Sequence, residues 1–207
     1  FSHQPKQSHA MAVKRIGRYL LGTRDKGLIF QPDVAQGLDC YVDADFAGLY
    51  GYEDEQDPTS VKSRTGFVLT LFGCPIVWSS KLQTDITLSS TAAEYVAFSM
   101  AMRELLPMRV LLLEIGAKLK LDFLTTSSVK STVFEDNQGC LALVNVPRMS
   151  PRNKYLALKY HFFRSHIGKE KGIVAQYIRT TNQLADIFTK GLPEPQFCVL
   201  RKRLMGW

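Results

Sequence analysis

The sequence predicts an α/β fold built on a mixed sheet, and two patterns carry that prediction. Three strand-like runs, LDCYVD (38–43), TGFVLTLF (65–72) and PIVWSS (75–80), follow one another with only turn-rich connections between them, as in an antiparallel meander. The period then changes. Helical stretches alternate with two further runs, STVFED (131–136) and GIVAQYI (172–178), giving the order β-β-β-α-β-α-α-β-α. A meander followed by helix-linked strands makes a mixed sheet with helices on its faces, and strands one, four and five run parallel through right-handed crossovers.

The elements follow from local patterns. In HAMAVKRIGRYLL (9–21), Val13, Ile16 and Leu20 form one stripe, so an amphipathic helix is expected, stopped by Gly22. GLIF (27–30) reads as a short strand, and a boundary falls near residue 36. Residues 49–63 are polar, acidic and turn-rich and read as a loop, and Phe72-Gly73-Cys74-Pro75 as a turn. From Ser90 to Gly116 the chain reads as helix, with Tyr95, Phe98, Met102 and Leu105 on one stripe and Pro107 expected to kink or split it. NQGCLALV (137–144) is a short helix. Residues 154–169 place Leu156, Tyr160, Phe163 and Ile167 on one helical face. NQLADIFTK (182–190) is a helix, and the last helix, 196–205, turns Phe197, Leu200 and Leu204 inward and Arg201, Lys202 and Arg203 outward.

Composition narrows the function classes. The chain has 207 residues and 45% hydrophobic content, enough for one sizeable core. No apolar run approaches the ~20 residues of a membrane helix, and no signal-peptide pattern follows Phe1. The chain is therefore expected to be a piece of a longer polypeptide. Cys40, Cys74, Cys140 and Cys198 form no C-x-x-C, so buried free thiols are expected rather than a zinc site. Net charge is +7, divided into +4 over residues 1–36, −6 over 37–100 and +9 over 101–207. An acidic middle between basic flanks suits a protein that holds cations in one place and phosphates in another.

Four acids stand at element ends: Asp43 closing strand one in CYVDADFAG, Glu94 opening the long helix in LSSTAAEY, Asp136 closing strand four, and Asp186 in QLADIFTK. Each has a plain structural role open to it. Glu94 can form a capping box with Thr91, or face the sheet if Ser90 caps the helix. Asp136 can cap the helix that follows, Asp186 can be a surface acid near a helix start, and Asp43 and Asp45 can be turn residues. Taken together they have another use. Ligands in open α/β sheets bind beyond the carboxyl ends of parallel strands, and clustered carboxylates repel unless a dication intervenes. Mg²⁺ or Mn²⁺ suits all-oxygen ligands, and two such ions about 3.5–4 Å apart can clamp a phosphodiester.

The motifs VDADFAG, SRTGFV, IVWSSKLQ, LSSTAAEYVA, FEDNQGCLAL, YHFFR and QLADIFTKGLP, in that order, resemble the ribonuclease H domain of copia-type retrotransposon polyproteins. The stretch PKQSHAMAVKRIGRYLLGTRDKGLIF is similar to the end of the preceding reverse transcriptase region. The resemblance implies a ribonuclease H-like fold, a five-stranded mixed sheet in the order 3-2-1-4-5 with helices on both faces. Residues 1–36 would be a reverse transcriptase remnant and 37–207 the ribonuclease H domain with a C-terminal basic helix. It implies hydrolysis of the RNA strand of RNA–DNA hybrids with two Mg²⁺ or Mn²⁺ ions. Asp43, Glu94, Asp136 and Asp186 are then both catalytic residues and metal ligands, with Asp45 and Glu135 as adjacent acids that are not primary ligands. Gln138 and Ser90 would meet the hybrid's minor groove, where the 2′-hydroxyl distinguishes RNA. The implied partners are the hybrid and the reverse transcriptase domain of the same polyprotein, with no membrane. The implied location is intracellular, in a cytoplasmic virus-like particle or the nucleus, and not secreted.

The sequence also departs from the family pattern. Many ribonucleases H carry a histidine between the last strand and last helix, and YIRTTNQ has none. KYLA (154–157) replaces the more usual Lys-His-Ile-Asp. The loop 49–61 is long and acidic. Trp78 can pack in the core or offer a stacking surface. A catalytically weakened module that binds nucleic acid or a polyprotein neighbour is the alternative reading. An integrase-like core is a third, which EDNQ and LADIFTK disfavour.

Overall fold

Alternation of apolar residues along strands of eight or nine residues builds the first half of the sheet. The computed structural model describes residues 3–52, 57–126, 129–146 and 160–207. Strands β1 (Leu38–Asp45), β2 (Arg64–Leu71), β3 (Cys74–Leu82), β4 (Ser131–Glu135) and β5 (Ile173–Tyr177) form one sheet in the order β3-β2-β1-β4-β5. This is the order that the resemblance implies. β1–β2 and β2–β3 pair antiparallel, whereas β1–β4 and β4–β5 pair parallel. Phe72 and Gly73, both at positive φ (54° and 80°), turn the β2–β3 hairpin, the backbone that tight hairpins favour. The β1–β4 ladder is short: only Cys40↔Val133 and Tyr41↔Phe134 are in register.

The period of two sorts β1 between two cores. Leu38, Cys40, Val42 and Ala44 face α2 (Ser90–Leu119), whose stripe of Tyr95, Phe98, Met102 and Leu105 is fully buried against them, as expected. Tyr41 and Asp43 face the other way. There Val68, Leu184, Leu200 and Leu204 form a smaller cluster beneath α4 (Asp186–Thr189) and α5 (Glu194–Met205). The stacked rings of Tyr41 and Phe134, 4.8 Å apart, continue that face from β1 to β4. α3 (Gln138–Asn145) lies on the α2 side, with Cys140 and Val144 in the main core. All four cysteines are free, and Cys40, Cys74 and Cys140 are buried. α1 (Gln7–Gly22) buries no residue, and its Val13, Ile16 and Leu20 stripe is exposed.

Several local expectations are corrected. GLIF forms no strand; its backbone bonds instead to the end of α5, with the Ile29 N–H donating to the Met205 carbonyl at 3.0 Å and the Trp207 indole N–H to the Gly27 carbonyl at 2.8 Å. α2 is not split at Pro107, because Leu105 and Leu112, buried on either side of it, hold both halves on the core. In the stretch 154–169, residues 154–159, and with them KYLA, lie outside the described residues. The remainder is a 3₁₀ turn, Phe162–His166, rather than α-helix. That turn seats Phe163 between Tyr95 and Phe98, with ring centroids 5.4 and 4.9 Å away. The expected helix 182–190 is reduced to α4 and a preceding 3₁₀ turn, Thr180–Asn182. Within 49–63, residues 53–56 lie outside the described residues.

Phe163 is fully buried and secures its segment to α2. Phe163→Ala should cost about 3–5 kcal/mol, measured by urea unfolding; a loss below about 1 kcal/mol would show that the aromatic cluster does not anchor this segment.

Candidate active site

Each of the four acids is carried by a different element, and each element delivers it to the carboxyl ends of β1 and β4. Asp43 is the sixth residue of β1, on the α4 side of the sheet, and is 2% exposed. It is therefore no turn residue. α2 starts at Ser90 as expected, but its cap is neither Thr91 nor Ser90: the Ser89 Oγ accepts from the Ala92 N–H at 3.1 Å. Glu94 is thus the fifth residue of the helix, released from capping, and is 6% exposed. Asp136 follows the last residue of β4. The cap of α3 is Asn137, whose Oδ1 accepts from the Cys140 N–H at 2.9 Å, so the Asp136 carboxylate is not used as the cap. Asp186 opens α4 and is fully buried rather than a surface acid.

Asp43, Asp136 and Asp186 bring carboxylate oxygens within 4.8 Å of one another, and so do Glu94, Glu135 and Asp136. Asp136 belongs to both groups and joins them into one cluster. Asp43, Asp136 and Asp186 meet the strand ends from the α4 side; Glu94 reaches them from α2. Glu135 shares the inward face of Val133 on β4 and is fully buried. Asp45 is half-buried against Gly48, and its register partner is Arg64.

Electrostatics records the crowding. Burial is the main force raising the Asp43 carboxyl, opposed by the Lys190 ammonium and a hydrogen bond from the Thr189 hydroxyl. Burial and then Asp43 push Asp186 up to about 6, against Lys190. Glu94 and Glu135 are both raised, by burial first; Glu135, Asp43 and Asp136 then push Glu94, and Asp136 and Asp43 push Glu135. Lys190 lies 2.9 Å from Asp186 Oδ1 and 3.6 Å from Asp43 Oδ2. Burial lowers its ammonium, but Asp43 and Asp186 outweigh that and the net shift is upward. The Thr180 hydroxyl donates to Asp136 Oδ2 at 2.7 Å. Glu94 Oε2 and Glu135 Oε2 are buried with no hydrogen-bond partner. An all-oxygen donor set with unpartnered buried carboxylate oxygens fits a hard divalent cation.

Two neighbours shape the site from below. Gly66 on β2 is the register partner of Asp43. A Cβ there would come 2.6 Å from Thr189 Cγ2 and 2.8 Å from Phe188 Cβ, so its bare backbone lets α4 lie on the sheet beside Asp43. Gln83 donates to Thr65 Oγ1 at 3.0 Å and to the Ala93 carbonyl at 2.9 Å, tying the start of α2 to β2 and β3.

Ser90 and Gln138 are exposed at the first turns of α2 and α3. These two helix starts touch, since a Cβ on Gly139 would lie 2.9 Å from Thr91 Oγ1. Trp78 is 55% exposed and not a core residue; it lines an apolar cavity of about 360 Å³ with Tyr19, Phe188 and Phe197. Of the C-terminal basic residues, Arg201 is half-buried with its guanidinium 4.2 Å from the Trp207 ring and so does not simply face solvent as expected, whereas Arg203 is exposed and donates to Asn182. Lys202 is exposed.

The chain is 34% identical to the Pol polyprotein from transposon RE2 of Arabidopsis thaliana over 197 residues, 95% of this chain and 12% of that one. It is 33% identical over 208 residues to the Pol polyprotein from transposon TNT 1-94 of Nicotiana tabacum, covering 100% of this chain and 14% of that one. Its homologues over nearly the whole chain are Pol polyproteins from copia-type transposons. It spans about one-eighth of the length of these relatives. No protein-family model matches it. Among solved structures, LC11-RNase H1, isolated from compost, is similar with a TM-score of 0.47 and 20% identity over 74% of this chain and 92% of that one. Among the described residues, no helix is long and apolar enough to cross a membrane.

Some site residues escaped the sequence reading. Lys190 stands four residues after Asp186, a spacing that puts both on one helix face, so that signal was present. Glu135 was read only as an adjacent acid, although its alternation with Val133 and Ser131 marks an inward face. Thr180 and Gln183 act from irregular backbone, for which no periodicity exists.

Gly66→Ala should cost about 1–3 kcal/mol by overpacking and should also weaken Mn²⁺-induced stabilisation, both read by thermal unfolding; an unchanged Mn²⁺ response would show that α4 need not touch β2. The upward carboxylate shifts also fix a pH dependence. The folded protein keeps protons that the unfolded chain releases near pH ~4, so stability declines as pH rises through about 6 and stays lower above it. In chelator, wild type should therefore lose stability relative to Asp186→Asn as pH is raised from about 4 to about 8, and Mn²⁺ should restore more at the upper end. A difference that is flat with pH would contradict this.

Proposed function

We propose that this Pol segment is a divalent-metal-dependent ribonuclease H that hydrolyses the RNA strand of RNA–DNA hybrids during reverse transcription. The observation that carries the reading is the convergence of Asp43, Glu94, Asp136 and Asp186 on the ends of two adjacent parallel strands, in a relative of Pol polyproteins. Asp43, Asp136 and Asp186 would hold one Mg²⁺ or Mn²⁺, and Glu94 and Asp136 a second, with Glu135 in reach of the second group. Bound there, such ions activate water and stabilise the leaving oxygen of a phosphodiester.

The chain's own residues do the rest. Thr189 and Thr180 hold the Asp43 and Asp136 carboxylates in fixed orientations. Lys190 neutralises part of the charge on Asp43 and Asp186. Ser90 and Gln138, exposed on abutting helix starts, would meet the minor groove, where 2′-hydroxyls are read. Lys202 and other exposed Lys and Arg would hold backbone phosphates, so affinity should fall steeply with salt. Residues 1–36 are assigned to the reverse transcriptase region and 37–207 to the ribonuclease H domain; reverse transcriptase of the same polyprotein is the proposed protein partner. The absence of a histidine in YIRTTNQ favours one competing reading, a module that binds hybrid without cutting it.

End-labelled RNA–DNA hybrid incubated with Mg²⁺, Mn²⁺ or chelator separates the two. Cleavage to 3′-hydroxyl and 5′-phosphate ends is expected with either ion and none with chelator. Asp43→Asn should lower cleavage by at least ~10²-fold while unfolding at or above the wild-type temperature. Binding of hybrid without cleavage in any metal would establish the competing reading.

A further inference from the structure

One side chain touches three of the segments that carry the acids. Gln183 is fully buried. Its Nε2 donates to the Val42 carbonyl at 2.9 Å and to the Phe134 carbonyl at 3.3 Å, and its Oε1 accepts from the Ala185 N–H at 3.3 Å. Val42 immediately precedes Asp43, Phe134 stands two residues before Asp136, and Ala185 immediately precedes Asp186. The backbone N–H of Gln183 donates to the carbonyl of Thr180, the residue whose hydroxyl holds Asp136.

The location explains the choice of residue. The parallel ladder between β1 and β4 ends at Tyr41↔Phe134. Beyond it no further residues of the two strands are in register, and there the carboxylates meet. Two carbonyls at that point need donors, because buried backbone groups left unpaired are costly. A primary amide supplies two N–H donors and one acceptor on a single neutral group. Ionised Glu has no donor, Asn is a methylene shorter, and Lys or Arg would add a charge to the core.

We infer that Gln183 is a positioning residue that sets the separation of the Asp43, Asp136 and Asp186 carboxylates by bridging β1 and β4 where their ladder ends. The inference rests on the metal-dependent nuclease reading. Gln183 touches no reacting atom in it; it acts through the backbone of the strands it joins.

The test is Gln183→Met, which keeps length and removes both donors, read by Mn²⁺ titration calorimetry and by hybrid cleavage kinetics. The expected result is Mn²⁺ affinity lower by about 10–100-fold, the range for residues that orient metal ligands, with kcat reduced and KM for hybrid within about twofold of wild type. Leu105→Ala, a core truncation in α2 away from the cluster, serves as the stability control and should lower Tm without changing Mn²⁺ affinity. Gln183→Asn keeps the amide but shortens its reach, and provides the measurement if the methionine variant does not fold. Either variant folding with wild-type Mn²⁺ affinity overturns the assignment. Failure of both to fold also overturns it, by making Gln183 a requirement of the fold rather than of the site. Wild type that binds Mn²⁺ but cleaves no hybrid overturns the nuclease reading and leaves Gln183 as the organiser of a cation site. Wild type that binds no Mn²⁺ overturns both.

Discussion

Mutual repulsion among carboxylates at the ends of β1 and β4 is the constraint around which this half of the molecule is arranged. Asp43, Glu94, Glu135 and Asp186 are buried, and Asp136 links them. Burial alone penalises each charge, and proximity adds to the penalty. The protein offsets part of it with Lys190 and with the hydroxyls of Thr180 and Thr189. Those contacts neutralise Asp43, Asp136 and Asp186 better than the α2 side of the cluster, where Glu94 and Glu135 each retain an oxygen without a partner. The asymmetry leaves the α2 side as the part of the cluster whose charge is least offset by the protein itself.

The backbone prepares this arrangement before any side chain is considered. Adjacent parallel strands present their carboxyl ends together, and the β1–β4 ladder ends just before the acids. α4 approaches from one face because Gly66 leaves room for it. α2 approaches from the other, its first turn pinned by Ser89 and by Gln83. A four-residue helix such as α4 has little stability of its own; its hydrogen bonds and ion pairs to Asp43 hold it, so the site and the local fold support each other.

The strand succession and the placing of four acids at element ends were legible in the sequence because they rest on patterns that survive tertiary context, strand alternation and a long helical stripe; the order of strands in the sheet came with the family resemblance. What was illegible depended on contacts between distant segments. GLIF has strand-like composition, but its backbone bonds to the end of α5 instead of a sheet edge. Pro107 carries a local penalty that burial of Leu105 and Leu112 outweighs. The segment around Phe163 has helical spacing, yet inserting that ring between Tyr95 and Phe98 imposes a tighter turn. Gln183 looked like one more polar residue in a helix, whereas its amide is committed to carbonyls 49 and 141 residues earlier in the chain.

That last span has a temporal meaning. During synthesis, β1 emerges long before the residues that bridge and complete its end, so Asp43 waits for most of the domain to be made. A chain cut short just after β5 has its strands and core helix but lacks Asp186, Lys190 and the amide that joins β1 to β4. The acidic cluster is thus completed only by the last residues of the domain to be made.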